Sequence, residues 1–349
     1  MSAYSLDALK WRSMTAAINQ IKAPQSFLKR LLFRDEETLT TEDIELSYLT
    51  GARDMAPFVR KNGEALMVEG LGETFATVQC PNIRIKRPMK PSDLLFTRRV
   101  GTTVFPTSGG QRAAINAYIA RELKRLRDLV ANAEEWMVSQ AIRGEIDYEV
   151  DPEENFTITY PRSASHSYNV SEDWDETDSS PEVDVLKAKR LIADDVGLTP
   201  THMILGQDAA EYFMANTHVQ TLLDTRNYEA GGLTINSQFN EQGAIYLGRF
   251  AGLQVWEYSR SINKDGTATD LVRDAYAEIV CAVPAAENVL YYGAIPDLPV
   301  LKGRLLQAKL FAKSWDQEDP AVRFALVHSR PLPVPRLPDS TVSMCVKAT

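Results

Sequence analysis

Histidine and cysteine are scarce in this chain, at four and three in 349 residues. No two of His166, His202, His218 and His328 are three or four positions apart, and none has that spacing to a cysteine, so no helical pair of metal ligands forms. Cys80, Cys281 and Cys345 are far apart and odd in number, which fits neither a disulfide framework nor a metal cluster. They read as free thiols in a reducing compartment. No run of about 18 apolar residues occurs, which argues against a membrane span, and the first twenty residues lack the continuous apolar stretch of a signal peptide. Together these absences point to the cytoplasm, or to something assembled there. Positive charge is not in excess either: 38 basic against 47 acidic side chains give a net charge of −9. A protein held to nucleic acid by a broad basic surface is thereby disfavoured, though local basic patches remain open.

The usual catalytic signatures are missing as well. Ser108-Gly109-Gly110-Gln111 precedes a helical stretch, but no Lys-Ser/Thr follows, so there is no Walker loop. Gly70-Leu71-Gly72 has no helix after it, and no Gly-x-Ser-x-Gly elbow appears. In the acidic segment 171–178, Asp173, Asp175 and Asp178 offer oxygens to a cation. The segment has neither the sixth-position glycine nor the closing glutamate of an EF-hand loop, and it reads as a solvated loop. It carries the alternative reading, a cytoplasmic α+β hydrolase with a metal site in loop 171–178. Otherwise no catalytic, metal-binding or cofactor-binding residue is expected, and no cofactor.

What is present begins with one long helix. Residues Arg112 to Arg143 contain no proline or glycine, the residues that cost most inside a helix. Ile115, Ile119, Leu123, Leu126, Val130, Ala133, Met137 and Ala141 step by three or four and form one apolar stripe. Arg121, Glu122, Lys124, Arg125, Arg127, Asp128, Glu134 and Glu135 lie mostly off that stripe. Gly144 stands where a left-handed C-cap is expected. At ~1.5 Å per residue the rod is roughly 45–50 Å long. With 44% hydrophobic and 24% charged residues, the chain can bury a sizeable core as two domains or one elaborated one.

On either side of the helix the composition changes. Residues 1–50 carry an amphipathic segment ended by Ala23-Pro24, the cationic cluster Phe27 to Arg34, and an alternating Ile44 to Leu49 that reads as a strand. This part lacks a core of its own and reads as an arm that packs on something else. Residues 51–98 combine short strand-like runs (Ala65 to Val68, Phe75 to Val78, Ile83 to Ile85) with many charges. Glu69-Gly70-Leu71-Gly72-Glu73 suits a hairpin end, because glycine takes positive φ freely. The pattern reads as a long charged β-arm, and a projecting hairpin needs a partner because an isolated one is marginal in water. Residues 182–300 alternate helices and strands, with Met203-Ile204-Leu205 as a buried strand and 226–240 as a mobile loop. Phe324 to His328 and Thr341 to Val346 read as closing strands, separated by a stiff extended loop over Pro331 to Pro338.

This order of parts resembles the Hong Kong 97-type capsid fold. The residues resemble one branch of it, the lambda-type major capsid protein family of tailed phages. The motifs are Phe27 to Leu49 (FLKRLLFRDEETLTTEDIELSYL), Lys313-Ser314-Trp315, Asp319-Pro320-Ala321-Val322-Arg323-Phe324 and Ser329-Arg330-Pro331-Leu332. The likeness runs in order along nearly the whole chain, but only these end motifs are specific. It implies an α+β subunit divided into an N-terminal arm (1–50), an extended β-hairpin loop (51–98), a peripheral domain with a spine helix (99–195, spine 112–143), an axial α/β domain (196–312) and closing strands of the peripheral domain (313–349). It implies no enzyme but a major capsid protein that self-assembles into an icosahedral shell around packaged double-stranded DNA. The implied partners are further copies of the chain in hexamers and pentamers, a scaffold, a portal and a decoration protein, with no membrane and no sequence-specific DNA binding. Assembly would take place in the host cytoplasm, and the product is the virion. On this likeness the neighbour-gripping residues are Phe27, Arg30, Phe33, Arg34, Arg60, Lys61, Glu69, Gly70, Gly72, Glu73, Arg84 and Lys86. Asn236, Gln238, Asn240 and Gln242 belong to an axial loop.

Overall fold

A computed structural model of the chain describes residues 10–21, 26–50, 72–89, 108–151, 154–226, 238–239, 243–264, 266–297, 304–318 and 322–347. Its helices, in chain order, are α1 (Trp11–Gln20), α2 (Phe27–Leu32), α3 (Ser108–Ile142), α4 (Pro181–Asp195), α5 (Gln207–Ala215) and α6 (Thr217–Arg226). The expected spine is α3, extended at its start to Ser108 and spanning 35 residues. Its end falls where the sequence puts it. Gly144 takes φ +94° and donates its N–H to the Ala141 carbonyl at 3.1 Å. A side chain there would be strained by the backbone and would also press on Arg162.

Helix α3 serves two cores in succession. Ile119, Leu123, Leu126 and Val130 of its first half join Met14 and Ile18 of α1 and the residues Met89, Ala312, Ala325 and Val327 of a three-stranded sheet. That sheet runs Phe311–Gln317, Val322–Ser329, Ile83–Met89 and is antiparallel throughout. Helix α1 lies along its outer strand, where Thr15 Oγ1 both donates to the Ala312 carbonyl and accepts the Ala312 N–H, and Asn19 donates to Leu310. These bonds occupy backbone groups of an edge strand that would otherwise be open to another chain.

Trp136, Met137, Val138, Ala141 and Ile142 of the second half of α3 enter a different core, with Phe27, Leu28, Leu32 and Phe33 of the N-terminal arm and Ile204, Tyr258 and Val280. The last three sit on or beside one face of a seven-stranded mixed sheet. Its order is Ser167–Asn169, Thr341–Cys345, Tyr276–Val280, His202–Leu205, Leu253–Glu257, Ile245–Phe250, Gln238–Phe239. The opposite face carries Met203, Leu205, Val255, Ile279, Val342 and Met344 against Val185, Ala188, Ile192, Ala209, Phe213 and Val219 of α4 to α6. The strand His202–Leu205 is buried on both faces, yet its residues still alternate between the two cores, as the two-residue period of a strand requires.

Three sequence expectations change. The sequence groups Ile83–Met89 with the projecting arm, but the strand pairs along its length with Val322–Ser329 over the spine. The stretch from Pro331, expected as a loop, begins with a strand (Pro331–Val334) in a smaller sheet ordered Asp35–Thr38, Val289–Tyr292, Pro331–Val334. It lies at that sheet's edge, which is where a strand tolerates prolines without N–H groups. Thr341–Cys345, placed with the peripheral strands, pairs with Tyr276–Val280 inside the seven-stranded sheet.

Candidate assembly interface

The first candidate is a two-stranded ribbon. Asp43–Thr50 and Gly72–Gln79 pair antiparallel in continuous register from Asp43↔Gln79 to Thr50↔Gly72, and among the described residues no third strand joins them. The ribbon therefore starts before residue 51, at Asp43. Its root is closed by the Cys80 N–H on the Glu42 carbonyl, at 3.3 Å.

That root is held by a buried arginine of the Ser329-Arg330-Pro331-Leu332 motif, a residue with no functional signal in its local sequence. Arg330 is 4% exposed. Its Nη1 forms an ion pair with the Glu42 carboxylate at 2.9 Å and donates to the Ala294 carbonyl at 3.1 Å, and its Nη2 donates to the Cys80 carbonyl at 3.3 Å. The backbone beside it is zipped as well, with donors on both sides: Leu39 N–H to Tyr292 O, Ala294 N–H to Thr41 O, and Gly293 N–H to Arg330 O. Gly293 has no side chain for a packing reason, since a Cβ there would lie 2.9 Å from the Cys80 Cβ. Burial pushes the Cys80 thiol up to about 11, against the pull of Arg330. Next to Arg330, His328 is buried and hydrogen-bonded to Asn82. Burial, then Arg84 and Arg330, hold it down at about 4.

The N-terminal arm is fastened by carboxylates of the spine. No side chain of its own caps the start of α2. Instead Glu135, wholly buried on α3, accepts the Leu28 N–H at 2.8 Å and the Lys29 N–H at 3.0 Å, and its Oε1 also accepts the Tyr258 hydroxyl at 3.0 Å. A carboxylate at a helix N-terminus satisfies bare N–H groups and meets the positive end of the helix dipole. Burial raises the Glu135 carboxyl, with the two N–H groups opposing. Its neighbour Glu134 binds Lys29 Nζ at 2.7 Å and the Tyr292 hydroxyl at 3.2 Å, and Lys29 also meets Glu36 at 2.8 Å. The expectation that Glu134 and Glu135 lie off the buried stripe is thus corrected: they are 1% and 0% exposed. Each finds, on a part of the chain about a hundred residues away, the donors that burial of a charge demands.

The residues predicted to grip neighbours divide sharply. Phe27 is 3% exposed and lies between Trp256 and Tyr258, with ring centroids 5.2 and 5.1 Å away. Phe33 is equally buried. Both aromatics pack inside their own subunit and present nothing to a neighbour, a correction to the arm reading. Arg30, Arg34, Arg84 and Lys86 are exposed. Gly72 and Glu73 begin the second ribbon strand, and Gln238 lies in the outermost strand of the seven-stranded sheet. Arg60, Lys61, Glu69, Gly70, Asn236, Asn240 and Gln242 lie outside the described residues. Of the C-terminal motifs, Lys313 forms a buried ion pair with Asp297, and Trp315 stacks on Phe324 at 5.5 Å.

The acidic loop is tethered rather than simply solvated. Trp174 is fully buried, donates Nε1–H to Asp184 at 3.0 Å, and its N–H reaches the Val346 carbonyl at 2.9 Å. Asp175 pairs with Lys347 at 2.7 Å, which engages the oxygen a cation would need. Among the described residues no group of three or more His, Cys, Asp or Glu is arranged to hold a metal ion.

A long helix backing two sheets, with an arm fastened along it and a two-stranded ribbon, belongs to the Hong Kong 97-type capsid fold. A prophage capsid protein from Escherichia coli CFT073 shares this fold at a TM-score of 0.67 with 17% identity, over 97% of this chain and 99% of that one. A phage-related protein from Bordetella bronchiseptica RB50 shares it at 0.53 with 12% identity, over 95% of each chain. In sequence, the chain is 24% identical over 328 residues to the major capsid protein of Escherichia phage lambda, covering 90% of this chain and 92% of that protein. Residues 10–346 match the family profile of phage major capsid protein E, and the chain belongs to that family. It is a structural component of a bacteriophage virion, a subunit of an icosahedral shell and not an enzyme. The hydrolase alternative is set aside with that result.

Proposed function

We propose that this capsid subunit closes its shell chiefly through the ribbon and the exposed cations around the arm. The observation that carries this reading is the ribbon of Asp43–Thr50 and Gly72–Gln79, whose strands pair with each other and with no further strand among the described residues. A two-stranded ribbon is marginal in water by itself. Lying over a neighbouring copy would bury its second face and stabilise it. Arg30, Arg34, Arg84 and Lys86 are exposed, and charges at such rims set register and encounter rate more than affinity. Arg60, Lys61, Glu69, Gly70, Gly72 and Glu73 are assigned to the same contact. Asn236, Gln238, Asn240 and Gln242 are assigned to the loop that meets its copies at the five- and six-fold centres.

On this reading residues 43–79, the ribbon and the chain between its strands, form the gripping arm, while Ile83–Met89 stays with the body. The α3 region with the Phe311–Ser329 strands forms the peripheral domain, and the seven-stranded sheet with its helices the axial domain. Copies would associate as hexamers and pentamers in the host cytoplasm, with a scaffold, a portal and a decoration protein as partners. A net charge of −9 suits a container that encloses double-stranded DNA without adhering to it, since closure rather than phosphate contacts retains the DNA.

Replacing residues 51–71 by an Asn-Gly turn tests the arm. The expected product is a folded subunit that sediments as a small species and forms no shells by negative-stain microscopy. Shells of normal yield would overturn the ribbon's role.

A further inference from the structure

We propose that Arg330 is the positioning residue that aims the ribbon, holding both of its roots at one angle to the body. The inference rests on the reading of the ribbon as the gripping arm. It starts from the Ser329-Arg330-Pro331-Leu332 segment, which the capsid function by itself does not explain.

The segment is the point where the chain leaves one sheet for another. Val322–Ser329 belongs to the sheet over the first half of α3, and Pro331–Val334 to the small sheet with Val289–Tyr292 and Asp35–Thr38. Arg330 is the single residue between them. Its buried guanidinium reaches Glu42 on the entering root and the carbonyl of Cys80 on the returning root. A third bond goes to the Ala294 carbonyl, and the N–H of the same Ala294 bonds the Thr41 carbonyl on the entering chain. One planar group thus ties the entering root, the returning root and the body.

The geometry asks for arginine in particular. Guanidinium presents five N–H donors in a fixed plane, so three acceptors from three segments can be met at once with a set angle between them. A lysine ammonium carries the same charge on a pivoting stem and fixes no such angle. The first ladder pair, Asp43↔Gln79, lies one residue beyond the tethered Glu42 and Cys80. A small rotation at the root is carried outward along all eight pairs of the ribbon, so the position of the outer end is set here.

The experiment compares Arg330→Lys, Glu42→Ala and Glu42→Gln in the full chain, held as dilute subunit and then placed under assembly conditions. Glu42 is partly exposed, so Glu42→Ala reports even if the buried Arg330→Lys fails to fold. In the dilute subunit, amide exchange at Asp43–Glu45 and Val78–Cys80 is expected to rise by about tenfold in Arg330→Lys and Glu42→Ala, with exchange in the seven-stranded sheet unchanged. Closed-shell yield is expected to fall by about tenfold in the same two variants, and by less in Glu42→Gln, which keeps an acceptor oxygen but loses the charge. Unchanged exchange at the roots would overturn the proposal, and so would a uniform rise across the subunit, which marks a merely structural role. Loosened roots with normal shell yield would overturn it too. The Asn-Gly replacement of residues 51–71 is scored in parallel. If that variant still forms shells, the arm reading fails, while exchange at the roots continues to report on Arg330 separately.

Discussion

The two halves of α3 are built on different physics. The first half buries Ile119, Leu123, Leu126 and Val130 on a stripe of period 3.6 and meets an apolar sheet. The second half also carries apolar residues, but it buries Glu134 and Glu135 at 1% and 0% exposure. The one buried carboxylate of the first half, Glu122, meets a cation that stays partly in solvent, Arg87 at 2.7 Å, and the rest of the partner surface there needs only to be apolar and of the right shape. In the second it must bring N–H and ammonium donors to fixed points, and α2 does so with Leu28 N–H, Lys29 N–H and Lys29 Nζ. The first half gives adhesion and the second gives register. That difference explains why a short arm helix of six residues, too short to be stable alone, has one defined seat.

The comparison breaks most completely at Leu126. Leu126→Asp puts an unpartnered carboxylate on the apolar stripe, at a cost above about 5 kcal/mol, comparable to the stability of a whole domain. No soluble folded subunit should result, and a normally melting mutant would show that the stripe packs elsewhere.

Glu135→Ala should cost about 3 kcal/mol, because it strands two N–H groups at the start of α2 and the Tyr258 hydroxyl. Urea denaturation would measure it, and Glu135→Gln, which keeps one acceptor oxygen, should lose less. If the two substitutions cost the same, the carboxylate does not hold the arm in the way described.

The sheet over the first half contains one polar test of its own, His328. Its folded-state value of about 4 lies below the ordinary 6.5. Between those values the unfolded chain takes up a proton and the folded chain does not. Stability is therefore full above pH 6.5 and falls as pH drops towards 4, by about 3 kcal/mol in all. Thermal melts across that range should show the slope in the parent and lose most of it in His328→Gln.

The smallest expected effect lies on the outer side of the first half. Leu129 is 50% exposed, so Leu129→Gln should shift subunit stability by no more than about 0.5 kcal/mol. A large loss would mean that the stripe is wider than described.

Much of the fold is legible in the residues. The absence of glycine and proline over 112–143, and a C-cap at Gly144, mark α3 nearly end to end. Met203, Ile204 and Leu205 mark a central strand because a short, wholly apolar run between polar segments suits burial on both faces. Phe27 and Phe33 look adhesive in sequence, but apolar residues cannot say whether they adhere to a neighbour or to Trp256 and Tyr258 of the same chain. The prolines from Pro331 suggest a loop, and only the presence of Val289–Tyr292 beside them turns the stretch into an edge strand. Arg330 lies in a motif whose residues could be quoted without any hint of what a guanidinium does there.

By itself the sequence determined the long helix, the buried strand at Met203–Leu205 and which stretches are apolar, because periodicity and backbone preference act over neighbouring residues. Tertiary structure alone decided which charges are buried and what they hold. A buried carboxylate or guanidinium is stable only when donors or acceptors from distant segments converge on it. Glu135 under the start of α2 and Arg330 between the two roots of the ribbon are such convergences, and no local pattern announces them.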